Sequence, residues 1–301
     1  MASRIPGFSP SGGKEPLPTH HVISKENIER RMGELGGCTF DSTVQAYIPI
    51  YPEKVHEAWL AQKEIIREKL GQIYPKDTEA MGSYFWKNTA KTVEDLLEHA
   101  KQGIPHFKAF LEGIATALEG KTYFGEGDEH IVKTRDSIKD KVKRFIIQQA
   151  GYGNTVSEQI ATMLINDSLR GTIIVNDIPQ CLKVLAMLRN ECAIVKYDLV
   201  FSNKFEDDYK NGYIGIHAKV VYKYTFSGQE RSVVSEVQIH FNAIENGTPF
   251  CPSQVTHSIY EQTRQINENG SVTSADSSAI SKESLEAAIK MQFLIGMEKI
   301  V

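Results

Sequence analysis

Residues 211–224, NGYIGIHAKVVYKY, and residues 231–241, RSVVSEVQIHF, decide how this chain is read. Side chains alternate across a strand with period two. If both runs are strands, Tyr213, Gly215, His217 and Lys219 share one face, with Ile214, Ile216, Ala218 and Val220 on the other. In the second run Glu236, Gln238 and His240 point one way, and Ser235, Val237, Ile239 and Phe241 the other. A half-buried hairpin needs only an apolar face and a solvated one. Here the polar faces gather Tyr, His, Glu and Gln, a set suited to a cleft.

Upstream, after Leu164, the chain alternates: a strand at Thr172 to Val175, a helix from Pro179 to Asn190 and a strand from Ile194 to Phe201. This order predicts an α+β fold with a mixed sheet and packed helices, not an all-parallel doubly wound one. Lys133 to Gln149 reads as a helix with an apolar stripe of Ile138, Val142, Phe145 and Ile146, a basic opposite face, and a capping box of Ser137 with Asp140. Ser24 to Gly120 reads as helical, with Val55, Trp59, Ile65, Ile66 and Leu70 near helical spacing, a second run at Thr92 to Ala100, and punctuation by Pro49, Pro52, Pro75 and Pro105. The chain thus divides into a disordered tail (1–22), a helical N-terminal region (23–122), a mixed-sheet domain (123–265), and a polar linker with a terminal amphipathic helix, Glu283 to Lys299 (266–301).

Composition sets bounds. The 301 residues, 41% hydrophobic and 24% charged, can build one large or two smaller cores. A formal charge of −4 argues against a general nucleic-acid coat but leaves room for a local phosphate site. Cys38, Cys181, Cys192 and Cys251 form no CxxC pair, which points to buried thiols and away from zinc or a disulfide framework. The first residues are rich in Pro, Gly and Ser without a signal peptide's apolar core, and no stretch is long and apolar enough to span a membrane. The default expectation is cytoplasmic; export without a cleaved signal, as a toxin or effector, leaves the same absence.

Four pieces in order resemble the RelA/SpoT-type (p)ppGpp synthetases and their relatives among small alarmone synthetases and toxins. They are the run Lys133, Ser137, Lys141, Asp167 just before a strand, NGYxxxH at Asn211 to His217, and ExQI at Glu236 to Ile239. The resemblance spans roughly residues 131–241 and implies a nucleotidyltransferase-like pyrophosphokinase that uses Mg2+ and ATP as diphosphate donor. It implies Asp167 and Glu236 as metal ligands, with Glu236 also the general base. It implies Lys133, Ser137 and Lys141 as donor-phosphate ligands. Tyr213 is expected to stack on the acceptor base, and His217 and Gln238 to bond acceptor phosphate or ribose.

The chain departs from the family's pattern at several places. Ile131 stands where family members often carry an adenine-side Arg, and Arg135 lies on the other side of Lys133. Arg170 follows Asp167 by three residues, where the family spaces Asp–x4–Arg and this chain has Thr172. Lys210 adjoins NGY where the family's lysine is one residue earlier, and Lys204 is a further candidate. The N-terminal hundred residues hold no His-Asp pair, so built-in alarmone hydrolysis is not expected. Within the enzyme reading three acceptors compete: GDP or GTP, ADP or ATP, and the tRNA 3′ end. A degenerate module that binds nucleotide or a host protein stands beside them. Glu236→Gln is expected to leave the fold intact, as a change in a cleft.

Overall fold

The computed structural model describes residues 25–42, 46–71, 88–118, 121–123, 131–194, 198–203, 215–241, 243–245, 248–250, 259 and 280–297. The expected tail, Pro75, and the Asn211 to Ile214 part of the NGYxxxH element lie outside these residues.

The two diagnostic runs form a long hairpin, β6 (Ile216–Phe226) and β7 (Gln229–Phe241). Its loop is Ser227-Gly228, both at positive φ (51° and 74°), as a type I′ turn requires, and Gly adopts that conformation without steric cost. The turn fixes the register, which pairs Lys219 with Glu236 and His217 with Gln238. On the other side of β7 lies β4 (Leu169–Val175), parallel to it, with Arg170 opposite Glu236 and Thr172 opposite Gln238. β3 (Lys121–Tyr123) and β5 (Asp198–Asn203) complete the order β3-β4-β7-β6-β5, in which only the β4/β7 pair is parallel. This is the mixed sheet that the element order predicts, and the molecule is α+β.

Ile173, Val175, Ile216, Ala218, Val220, Val237 and Ile239 enter the main core on one face of the sheet. α3 (Val93–Ala117) packs there through Ala100, Phe107, Leu111 and Ile114, and Tyr222 from β6 meets Phe107 and Phe110 edge-on. Thr92 caps α3 by accepting from the Asp95 amide. Pro105, read as punctuation of the helical pattern, lies inside α3. An interior proline costs about 3 kcal/mol, and the buried stripe on either side of it offsets that cost.

α2 (Pro52–Gly71) opens with Pro52 at its first position, where no amide partner is lost. It buries Val55, Trp59, Ile66 and Leu70 but leaves Ile65 exposed, off the stripe. Trp59 meets Phe293 of α7 (Lys282–Met297) edge-on at 6.2 Å between ring centroids. The N-terminal region carries α1 (Lys25–Glu34), α2 and α3, with one element that the helical reading did not include: after α1, Gly36 and Gly37 take positive φ and the chain enters a hairpin of β1 (Cys38–Asp41) and β2 (Ala46–Pro49). Four-residue strands carry too few alternations to register as a period.

α4 (Arg135–Gly151) buries Ile138 and Val142 beside Phe145 and Ile146 in a second cluster, joined by Val93, Leu96, Ala161 and Ile165. Its cap is Thr134, which accepts from the Ser137 amide, and not Ser137 as the capping-box spacing suggests. The chain leaves the sheet edge at Val132, bridged to Leu169, and Lys133 donates its amide to Ser168, so helix geometry begins at once. α5 (Glu158–Met163) precedes β4, and α6 (Ile178–Ile194) follows it.

Asn88 is fully buried and ties these parts together. Its Oδ1 accepts from the Val234 amide at 2.8 Å, and its Nδ2 donates to the carbonyls of Ile165 and Met163. Val234 lies two residues before Glu236, and Ile165 two before Asp167. Asn88→Ala leaves a buried N–H and carbonyl unpaired, each costing about 1–3 kcal/mol. Urea denaturation should show a loss of at least about 2 kcal/mol; a loss under about 0.5 kcal/mol would mean that water or a neighbour replaces the amide.

Candidate functional site

The polar face of the hairpin and the start of α4 converge on two carboxylates. Glu236, on central β7, is buried at 7% exposure. Its Oε1 accepts from Gln238 Nε2 at 2.7 Å; its Oε2 is bonded by Lys219 Nζ and lies 3.2 Å from His217 Nδ1. Alternation along β6 and the register across the hairpin place all four on one face. Burial by itself would raise the Glu236 carboxyl, but His217 and Lys219 beside it outweigh this and hold the group well below the usual carboxylate range.

Asp167, in the turn before β4, is also buried. Lys133 Nζ lies 2.8 Å from its Oδ2 and Lys141 Nζ 2.8 Å from its Oδ1. Lys141 also donates to Asn166 Oδ1 at 3.2 Å. Lys133 comes from just before α4 and Lys141 from its second turn, two helical turns apart and on one side, so both reach the same carboxylate. Burial raises the Asp167 carboxyl and nearby Glu236 adds to this, yet Lys141, Lys133 and Lys219 bring it below its ordinary value. Burial, opposed by Asp167, lowers the Lys141 ammonium, with Lys133 and Lys219 adding to the fall. Asp167, Glu236 and the three lysines therefore form one electrostatic cluster.

The other sequence candidates fall as follows. Ser137 is exposed in the first turn of α4, between Lys133 and Lys141. Arg170 stands exposed on the Glu236 face, opposite that residue in the parallel register. Thr172, in the family's arginine position, is buried, with its hydroxyl 3.5 Å from Gln238 Oε1. Arg135 is committed elsewhere: its guanidinium bonds Glu94 of α3 at an exposed surface. Lys204, Lys210 and Tyr213 lie outside the described residues. Lys219 is the residue that sequence reasoning noticed on the His217 face but did not assign, and Asn88 and Asn166 carried no signal that marked them.

The arrangement fits a hard divalent cation. Mg2+ is commonly held by one or two carboxylates, with substrate phosphates and waters completing its octahedron. Among the described residues no group of three His, Cys, Asp or Glu side chains forms a dedicated cage. Asp167 and Glu236 are the two carboxylates that would hold such an ion. Asp167 Oδ1 is buried, and beside it at 2.8 Å is Lys141 Nζ, a cation of the kind whose place a metal ion would take. Also among the described residues, no helix is long and apolar enough to cross a membrane.

No family model matches the chain, and no curated protein sequence does. Among solved structures it is similar to small alarmone synthetase 1 from Bacillus subtilis bound to its product pppGpp, at 19% identity over 68% of this chain and 93% of that one, TM-score 0.46. It is also similar to a GTP pyrophosphokinase family protein from Streptococcus pneumoniae, at 15% identity over 68% and 89% of the two chains, TM-score 0.47.

The burial of Glu236 bears on the expectation that its amide variant loses little folding, because Glu236→Gln removes the negative charge that Lys219 pairs with. A carboxyl whose folded value is depressed contributes stability that is present above its unfolded value, ~4.3, and lost as pH falls through the folded one. Wild type should therefore exceed Glu236→Gln in stability at pH 7, with the gap closing as pH drops below about 4. Denaturant melts at pH 7, 5, 4 and 3 measure this; a gap that stays constant across the series would contradict the ion pairing.

Proposed function

We propose that the chain is a Mg2+-dependent pyrophosphokinase that transfers the β,γ-diphosphate of ATP to the ribose 3′-hydroxyl of a guanosine or adenosine nucleotide, releasing AMP. The observation that carries this reading is the convergence of Asp167 and Glu236 with Lys133, Lys141 and Lys219 on one side of the sheet. The order of sequence elements from Lys133 to Ile239 supports it independently. Three lysines against two carboxylates leave an excess of positive charge, to which exposed Arg170 adds, and such a site favours a polyphosphate.

In the transfer the acceptor's 3′-oxygen bonds to the β-phosphorus as the bond from that phosphorus to the oxygen bridging it to the α-phosphorus breaks, and AMP leaves with that oxygen. Charge gathers on the transferring group's oxygens, where fixed cations count most. Lys133 and Lys141 are placed to follow the donor phosphates, with Ser137 in the first turn of α4 beside them. Asp167 and Glu236 would hold Mg2+, which would offset the charge of the donor phosphates. Glu236, kept ionised by its neighbours, accepts the hydrogen bond of the attacking hydroxyl and takes its proton as the new bond forms. Gln238 holds the Glu236 carboxylate from the other side. Tyr213 stacks on the acceptor base, and His217 and Lys210 or Lys204 meet its phosphates.

The test incubates purified protein with Mg2+ and ATP, adding GDP, GTP, ADP, bulk tRNA or nothing, and resolves the products by anion-exchange chromatography. A more highly phosphorylated nucleotide should appear with AMP, and folded Asp167→Asn and Glu236→Gln should each lose about 10²-fold or more in turnover. Product on tRNA alone would replace the nucleotide acceptor. Intact ATP in every tube, from protein that binds the nucleotide by calorimetry, would replace catalysis with a binding module.

A further inference from the structure

Lys219 has no place in the motif pattern discussed above, yet it makes the closest approach to the buried carboxylate. It lies directly across the hairpin from Glu236 and contacts Oε2, with only 17% and 10% of the two side chains exposed. Hydrogen bonding does not require it there. Gln238 already serves Oε1 and His217 already approaches Oε2. Its charge also acts on Asp167 and Lys141 across the cluster. Desolvating an extra cation is costly unless its charge is needed, and the need here is a cation beside two buried acidic groups.

Resting on the pyrophosphokinase reading above, we propose that Lys219 is a built-in substitute for the divalent cation: it holds Glu236 in the nucleotide-free protein and must give up that oxygen for the metal to bind. An ammonium and a metal ion cannot share one carboxylate oxygen without strong repulsion. A strand backbone fixes the base of the lysine, but its four-carbon stem lets the head swing by several ångströms. The donor's triphosphate supplies the anion that the displaced head moves to. Metal and triphosphate therefore bind cooperatively, each strengthening the other by the same factor. The site without nucleotide therefore disfavours metal.

Mn2+ serves as the probe, its free concentration read by electron paramagnetic resonance, with and without an ATP analogue carrying a methylene between the α and β phosphorus atoms. Wild type should bind Mn2+ weakly alone and much more tightly with the analogue. Lys219→Met, which removes the charge, and Lys219→Gln, which also keeps a donor to Glu236, should bind Mn2+ alone about ten-fold or more tighter. In both, the analogue's effect on Mn2+ affinity should shrink by a similar factor. Thermal melts establish that each variant is folded, and the glutamine variant guards against loss of fold in the methionine one. Mn2+ affinity unchanged or weaker in the folded Lys219 variants overturns the inference while leaving the metal site standing, provided that Asp167→Asn and Glu236→Gln weaken binding. Mn2+ binding indifferent to Asp167→Asn and Glu236→Gln removes the metal site itself, and both readings fall with it.

Discussion

The register of the β6–β7 hairpin is the constraint on which the rest depends. Because side chains alternate with period two, a slip of one residue would turn Glu236 and Gln238 into the apolar layer under α3 and bring Val237 out to face the lysines. The two-residue Ser227-Gly228 turn prevents that slip, since only one pairing closes a type I′ loop with Phe226 opposite Gln229. β4 then inherits its alignment from β7. Its parallel pairing sets Arg170 beside Glu236 and leaves Asp167 at the strand's entrance, within reach of the lysines of α4.

Holding buried charges at fixed distances needs a stiff frame, and polar ties supply it on the cluster's upstream side. Asn88 links the strand that carries Glu236 to the turn that carries Asp167, each two residues before the carboxylate. The Ser168 hydroxyl adds a bond to the Val234 carbonyl, and the Ser235 hydroxyl one to Val220. Beneath them the apolar face rests on α3, which keeps its helical path through Pro105 because the packing of Phe107, Leu111 and Ile114 outweighs the lost hydrogen bond. The frame is local to the site, which is why an asparagine far away in sequence bears on the geometry of both carboxylates.

The electrostatic consequence is that both carboxylates stay ionised in a place where burial opposes it. Ionised and surrounded by excess positive charge, the site has the character that the proposed polyphosphate ligand and its cation would need. A solvated charged surface would show the same residue types without the burial, and the burial separates the two descriptions.

Much of this could be read in the chain itself. Period-two alternation over eleven to thirteen residues is long enough to identify β6 and β7 and to sort their side chains onto faces, and the i, i+4, i+8 spacing of Lys133, Ser137 and Lys141 already places those three on one side of a helix. The apolar stripes of α2, α3 and α4 were legible for the same reason, a repeat sustained over several turns. The β1–β2 hairpin was not, because four residues make no period. Neither was the cap at Thr134, because Thr134 and Ser137 both have the chemistry of a cap and only the chain's departure from the sheet edge chooses between them. Lys219 could be placed on the His217 face but given no role, and Asn88 lay unmarked within the stretch that reads as helical. Local sequence determined which side chains share a face, since that depends on backbone periodicity alone; tertiary structure decided which faces meet, because the partners of Glu236 and Asp167 come from other strands and from α4, and distance along the chain carries no record of proximity in space.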